Sequence, residues 1–505
     1  MSIRPSGILR TGDALRALLG LPPGPPERLT GVTLDSRRVR PGDLYAALPG
    51  FTTHGARFAG MAVTAGAAAI LTDPEGERIL ADSGTPRVPV LVVADPRGVL
   101  GEVSAWLYGR PAQAMVTTGV TGTNGKTTLS YLLDAALRAD GRATGVIGTV
   151  ATQIGDEVLP AARTTPEAPD LHALLAVMRQ RGATAVTMEV SSHALSLGRV
   201  DGVVFDLAVF TNLSRDHLDF HGDMDSYFAA KASLFTPERA RAALVCVDDG
   251  GGRRMLARAR AAGLPAAGTA LGGPADWVAR DVRPGPAGSS LFRVLGPDGL
   301  DLSAGVRLAG RFNVANALGA LAAAVHHGVD PGVAAEAIRS CPGVPGRMER
   351  VGPDTGYLAV VDYAHTPDAV ARAIAAAREA VEGRVIVVLG CGGDRDRDKR
   401  PIMGEVAARD GDVLIVTDDN PRSEPAGEIR RAMMGGTATV PAQQRGEVLE
   451  EADRRAAIGL AVARARPGDA VHVLGKGHEQ GQEAGGVITP FDDRVELRAA
   501  MEGRP

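Results

Sequence analysis

Residues 119–128 read GVTGTNGKTT. They follow the Val-containing run AMVTT and precede TLSYLLDAALRAD, where Leu129, Leu132, Leu133, Ala136 and Leu137 fall at helical spacing. Strand, Gly-rich loop and helix in that order is the context a phosphate-binding loop requires. Glycines let backbone N–H groups converge on phosphate oxygens, and the helix N-terminus adds a favourable dipole. Gly122, Thr123, Asn124, Gly125, Lys126, Thr127 and Thr128 form the candidate cradle. Lys126 is placed to hold β- and γ-phosphates, and the Thr127 hydroxyl to sit on Mg²⁺. The spacing departs from strict G-x4-G-K-T, because position 120 is Val and the nearest earlier glycine is Gly119.

Outward from this loop, apolar strand-like runs alternate with helical patterns from Ala114 onward: TAVTMEV, DLAVFTNL and AALVCV. Continuous Val-rich runs suggest strands buried on both faces, hence a parallel α/β sheet. Before residue 110 the expected strands are short and mixed with Pro-Gly turns. Residues 272–305 read as antiparallel strands and turns, and RFNVANALGALAAAVHHG as a helix. The segment CPGVPGRMERVG (341–352) carries the turn signals of a linker, after which VIVVLG, VLIVT and VHVLG resume the alternation. Three units are expected, 1–110, 111–343 and 344–505, which suits a 505-residue chain.

Composition excludes several classes. The chain has 55 basic and 59 acidic residues, a formal net charge of −4, which opposes a generally basic nucleic-acid binder. Its 64 Gly and 33 Pro are abundant without reaching low complexity. Cys246, Cys341 and Cys391 are spaced neither as a disulfide framework nor as a zinc site, which fits a reducing cytoplasm. The N-terminus lacks the apolar core of a signal peptide, and no run approaches a membrane span. A cytoplasmic monomer acting on small molecules, with no membrane insertion, is expected.

The TNGKT-centred loop resembles that of the Mur ligases and the related folylpolyglutamate synthetases. LDSRRVRPGDLYAALPG (34–50), RTTPEAPD (163–170), MEVSSHAL (188–195), TNLSRDHLDFHG (211–222), GRFNVANALGA (310–320), GRMERV (346–351), DYAHTPDA (362–369) and GDRDRDKRP (393–401) keep Mur ligase order nearly end to end. The resemblance implies an α/β, three-domain architecture: a UDP-sugar-binding unit, a central P-loop-type parallel sheet for ATP, and a Rossmann-like C-terminal unit for an amino acid. It also implies an ATP-dependent amide ligase that adds the third residue of the peptidoglycan stem to UDP-N-acetylmuramoyl-L-alanyl-D-glutamate through an acyl phosphate. The first-domain LDSRRVRPGD segment opposes the folate alternative. A non-catalytic nucleotide-binding descendant would be expected to lack one of Lys126, Glu189, His217 or Lys231, and all four are present.

Such chemistry rests on neutralising and positioning phosphoryl groups. Glu189 and His217 fall just past predicted strands, where ligands of open α/β sheets gather. By resemblance, Thr127 and Glu189 serve one Mg²⁺ and His217 a second. A lone loop histidine is usually structural, and the DHLD context favours function here. In MDSYFAAKASLF, Tyr227, Lys231 and Phe235 lie at i, i+4 and i+8, so the lysine is expected to share a helix face with aromatics. Its amine could snorkel to water, or burial could keep it neutral and reactive toward CO₂. The family places a carbamylated lysine there, beside the second Mg²⁺. Asn313, Arg347, Asp362 and His365 resemble nucleotide-side residues. Ser36, His54 and Gly55 resemble uracil and pyrophosphate contacts, and Thr164, Thr165, Ser191 and Arg199 muramoyl-peptide contacts. Position 197 holds Leu where some members have Gln.

Three charged or polar clusters end successive expected strands of the last unit: GCGGDRDRDKR, DDNPR and GKGHE. Any one alone reads as a solvated loop, whereas three on neighbouring strands suggest one site. Asp419, Asn420, Pro421 and Arg422 form the DNPR pattern of diaminopimelate-adding members, which lysine-adding members lack. Diaminopimelate differs from lysine by a distal carboxylate, a group that arginine can grip bidentately. Arg422, helped by Arg395 and Asn420, is expected to bind it, with Gly475 nearby and Glu479 accepting the distal ammonium. L-lysine remains the alternative acceptor.

Overall fold

In the computed structural model, residues 4–50, 52–84, 88–161, 163–352 and 356–503 are described. The strand before the Gly-rich loop, Val116–Thr121, runs parallel to Ala185–Glu189 on one side and Leu207–Phe210 on the other. It belongs to an eleven-stranded sheet. The parallel part is ordered Thr144–Ile147, Ala185–Glu189, Val116–Thr121, Leu207–Phe210, Ala243–Cys246, Ala266–Leu271 and Trp277–Pro284. Ser290–Leu295 and Asp301–Val306 extend it antiparallel, so the Gly- and Pro-rich stretch forms the expected strands and turns. At the other edge a hairpin of Thr152–Ile154 and Glu157–Leu159 is added.

The phosphate-loop helix, Lys126–Ala139, turns Leu129, Leu132, Leu133, Ala136 and Leu137 into the core beside the helix Arg311–His326. Burying such leucines contributes about 1.5–3 kcal/mol each. The sheet therefore positions the loop, Glu189 and the residues after Phe210 at the carboxyl ends of three adjacent strands.

The N-terminal sheet has four short parallel strands in sequential order, Gly31–Thr33, Asp43–Ala46, Ala69–Thr72 and Val90–Val92. Its core takes in Ala173 and Ala176 of the central helix Ala168–Gln180. The C-terminal sheet is ordered Glu349–Arg350, Leu358–Asp362, Ala470–Leu474, Val385–Leu389, Val413–Val416 and Glu447–Glu450. All but its first edge strand run parallel. The three charged clusters therefore leave the carboxyl ends of three neighbouring parallel strands of this sheet. Among the described residues no helix is long and apolar enough to cross a membrane.

One local expectation fails. The helix carrying Lys231 is Met224–Ala232, so Phe235 is not two turns along the same face. The chain tightens after Ala232 through Leu234 N–H to Lys231 O and Phe235 N–H to Ala232 O, and Phe235 packs on Phe210 instead.

Candidate active site

Gly125 adopts φ +87°, and the helix begins at Lys126 with no side chain capping it. Its first N–H groups therefore remain available to an anion. A side chain at Gly125 would collide with Asn316, so the loop needs glycine on both counts. Asn212 braces the loop: its Oδ1 accepts from Asn124 N–H at 3.0 Å, and its carbonyl accepts from Thr123 N–H. Lys126 Nζ folds back on the carbonyls of Gly122 and Thr123, at 3.0 and 2.9 Å.

Lys231 is 1% exposed and donates to the same Gly122 carbonyl at 2.8 Å. Its Nζ lies 4.4 Å from the centroid of the Tyr227 ring. Burial, with the neighbouring Lys126 charge, holds this amine well below the ordinary lysine range. It does not snorkel to water.

Glu189, also 1% exposed, receives Thr149 N–H at 2.8 Å and the Thr149 hydroxyl at 3.0 Å. Thr149 also meets the Thr164 hydroxyl, 3.0 Å away. The Thr165 hydroxyl donates to Glu189 O and accepts from Ser191 N–H, tying the peptide-side residues to the end of this strand. Among the described residues no three His, Cys, Asp or Glu side chains form a metal cage. A buried carboxylate lining the same cavity as the Thr127 hydroxyl fits a hard cation that takes its other ligands from phosphates and water. His217, at φ +54°, sits 3.4 Å from Asp216 and edge-on to His193. Burial pushes it down to about 3, so its imidazole is neutral and able to act as a ligand.

Lys126, Thr127, Thr149, Glu189, Asp216 and His217 line one cavity of about 670 Å³, with Lys231 reaching it only through the Gly122 carbonyl it shares with Lys126. Leu244, Thr269 and Ala376 also line the cavity, as do Asn313, Arg347, Asp362 and His365. Arg347 lies 4.3 Å over the Tyr363 ring and donates to Thr127 Oγ1 at 3.2 Å. Asp362 spends its oxygens on the backbone N–H groups of Met348 and Ala364, at 2.7 and 2.8 Å, which fixes the chain around Arg347. His365, pushed by burial to about 4, is anchored to Tyr363 O, and Asn313 donates to Ala309 O.

In the first unit, Ser36 lies near Met61 and is buried. His54 is committed to its own loop: Nδ1 accepts from Ala56 N–H at 3.0 Å, and Nε2 lies 3.1 Å from Asp73. Gly55 donates to Leu48 O, with Leu48 backbone crowding the place of a Cβ. Arg199 pairs with Glu167 at 2.8 Å and reaches Thr165 O.

A second cleft, about 730 Å³, lies between the central and C-terminal units. Asn420, Arg422 and Glu479 line it, opposite Thr149, Tyr131 and the hairpin residues Val158–Pro160. Arg422, at φ +54°, donates to Gly393 O at 2.6 Å and lies 3.6 Å from Glu483. Asn420 Nδ2 donates to Glu479 Oε2 at 2.6 Å. Gly475 adopts φ +112°, and a side chain there would strike buried Asp419. Pro421 contributes its carbonyl edge against Gly393. Arg395 is not brought to the cleft; it is exposed and donates to Asp394 O. Within its cluster Arg400, not Arg395, is buried, and it pairs with Glu424 at 2.8 Å.

Sequence reading missed Thr149, which belongs to both cavities, and Asp216, buried among Lys126, His217, His365 and Lys399. It also missed Lys476, buried under the cleft. The D in DHLD and the K in GKGHE were the available signals.

Family models match along the chain in order: the Mur ligase family catalytic domain at residues 28–106, the Mur ligase middle domain at 120–324, and the Mur ligase glutamate ligase domain at 346–477. A Streptomyces avermitilis protein named UDP-N-acetylmuramoyl-L-alanyl-D-glutamate–2,6-diaminopimelate ligase is 55% identical over 482 residues, 94% of each chain. One of the same name from Corynebacterium glutamicum is 48% identical, over 94% of this chain and 92% of its own. A solved structure, also of a ligase of that name, superposes with a TM-score of 0.65 at 34% identity, covering 94% of this chain and 95% of its own. The chain belongs to the Mur ligase family.

Proposed function

We propose that this chain is an ATP-dependent ligase that joins diaminopimelate to UDP-N-acetylmuramoyl-L-alanyl-D-glutamate, making a peptidoglycan precursor. One observation carries the reading. Thr149, which holds Glu189 in the nucleotide cavity, also borders the cleft of Asn420, Arg422 and Glu479. Phosphoryl and amine chemistry can therefore meet at one wall. We assign the UDP-sugar to residues 1–110, ATP to 111–343 and the amino acid to 344–505, in a cytoplasmic monomer.

In the first step a dipeptide carboxylate oxygen attacks the γ-phosphorus of ATP, the bond to ADP breaks, and an acyl phosphate forms. Lys126 exchanges its loop carbonyls for phosphate oxygens, and the uncapped helix N-terminus faces the same charge. Arg347 leaves Thr127 to clamp the phosphates as the C-terminal unit closes. Mg²⁺, held by Thr127 and Glu189 and at a second position by His217 and carbamylated Lys231, would neutralise phosphoryl charge. In the second step the diaminopimelate amine attacks the acyl carbon, a C–N bond forms, phosphate leaves with the C–O electron pair, and the nitrogen loses its proton. Arg422 faces the distal carboxylate and Glu479 the distal ammonium.

Phosphate release from ATP tests the reading. It is expected only when UDP-muramoyl-dipeptide and diaminopimelate are both present, and release with either alone, or equal rates with lysine, would overturn it.

A further inference from the structure

Lys476 is the second residue beyond the strand Ala470–Leu474 and is 0% exposed. A buried ammonium is costly unless its donors are satisfied. All three are: Gly481 O at 2.7 Å, Asn420 Oδ1 at 3.2 Å and Glu479 Oε2 at 3.4 Å. An ammonium has three donors and no acceptor, so none is left for a substrate. Lys476 acts on the cleft through its neighbours.

Those neighbours are constrained in a specific way. Asn420 Oδ1 accepts from Lys476 and, at 2.9 Å, from Glu483 N–H. Flipping the amide would turn its NH₂ against two donors. Its NH₂ must therefore face Glu479, and Asn420 Nδ2 does donate to Oε2 at 2.6 Å. Glu479 Oε2 is thus held by two donors, while among the described residues no hydrogen bond reaches Oε1. Glu479 lines the cleft, so this oxygen is the one a ligand can use.

We infer that Lys476 is a positioning residue for the added amino acid, fixing Asn420 and Glu479 so that one ionised carboxylate oxygen faces the cleft for the ammonium at the far end of a diamino acid. This deepens the assignment of the cleft to diaminopimelate and rests on it. Charge supports the geometry. Burial pushes the Glu479 carboxyl upward and Asp419 adds to the rise, while Lys476 opposes it. Tyr363 and Arg454 also act on Glu479, Arg454 being already engaged with Asp493, and Arg422, His478, Glu483 and Arg494 line the same cleft. Lys476 is the cation bonded directly to Glu479, and it favours the charged form of that carboxyl. Removing it raises the carboxyl further, so ammonium binding is lost at a higher pH than in the parent.

The test compares full-length Lys476→Met and Lys476→Arg with the parent, reading KM for each substrate from phosphate release between acidic and alkaline pH. Lys476→Met is expected to raise KM for diaminopimelate about tenfold or more, leaving KM for ATP and for the nucleotide dipeptide unchanged. The acid limb of kcat/KM for diaminopimelate should move up by about one pH unit, and Lys476→Arg should leave that limb in place. Adding Lys476→Met to Glu479→Gln should cost little more, because the carboxylate it serves is gone. If Lys476→Met does not fold, Lys476→Arg carries the test: its altered reach should raise KM for diaminopimelate alone. An unchanged KM in a folded variant, or an equal rise for all three substrates, overturns the inference. Failure of the parent to ligate diaminopimelate at all would instead refute the assignment of the cleft.

Discussion

Lys126 and Lys231 donate to one carbonyl, that of Gly122, at 3.0 and 2.8 Å. Two ammonium groups sharing one acceptor in a buried site repel, and burial lowers both amines, which favours loss of one proton. Lys231 is the better candidate: among the described residues no acidic side chain forms an ion pair with it, and burial and Lys126 weigh against its charge more than Asp216 favours it. A neutral amine there can form an N–C bond to CO₂, releasing a proton and becoming a carbamate. The repulsion then becomes an attraction. Lys231→Ala is expected to lower kcat about a hundredfold or more. Short carboxylic acids should restore part of that activity by occupying the vacated space. Labelled bicarbonate should give a carbamate carbon signal in the parent and none in the variant; its absence from the parent would rule out the modification.

Thr149 offers a sharper separation of roles. Its N–H and hydroxyl both hold Glu189, and only the hydroxyl depends on the side chain. Thr149→Val keeps the shape and the backbone contact. It is expected to lower kcat about tenfold to a hundredfold, the value of a hydrogen bond to a charged group. Thr149→Ser should recover most of the loss. Titrating Mg²⁺ in both variants checks the cause, since Val should require more metal for half-maximal rate and Ser should not.

Arg422 is the test of which amino acid is added. It enters the cleft from a strained backbone, at φ +54°, and is steadied by Gly393 O and Glu483. The parent is expected to favour diaminopimelate over lysine by about a thousandfold or more, since a site built for a charged group penalises a substrate lacking it. Arg422→Met should narrow that ratio at least about tenfold, chiefly by raising KM for diaminopimelate. Competition between the two amino acids in one reaction gives the ratio directly. An unchanged ratio would move the carboxylate contact elsewhere.

Much of this was legible in the sequence because the fold and its site share local signals. The strand–loop–helix around GTNGKT specified its own geometry, and the alternation of Val-rich runs with helices gave the parallel sheets. Glu189, His217 and the DNPR cluster stood at strand ends, where topology alone brings groups together. Arg395 shows the limit. It lies in a charged run where several arginines could turn inward, and the one that is buried, Arg400, is found through its pairing with Glu424, 24 residues on. Thr149 and Lys476 escaped notice for a related reason. Thr149 holds a glutamate 40 residues away and Lys476 an asparagine 56 residues away, and no spacing announces those long-range contacts. Phe235 misled because periodicity continues through a sequence after the helix has ended.

The C-terminal site rests on an ion pair that the chemistry never touches. Arg454 and Asp493 are both fully buried and bonded bidentately, with Nε–Oδ1 and Nη2–Oδ2 each at 2.7 Å. Arg454 also donates to Leu474 O at 2.9 Å, the last residue of the strand that leads into Gly475, Lys476 and Glu479. Removing one partner leaves a buried charge without compensation, at a cost of about 3–5 kcal/mol. Arg454→Met should therefore lower the urea midpoint of the C-terminal unit clearly, and Asp493→Leu should do the same. The double variant removes both charges and should regain much of the loss, though not all, because Leu474 O still lacks its donor. If the pair also sets the strand end, the folded double variant should retain its KM for ATP but show a raised KM for diaminopimelate. Additive losses in urea would show that the two charges act independently, contrary to the bidentate geometry.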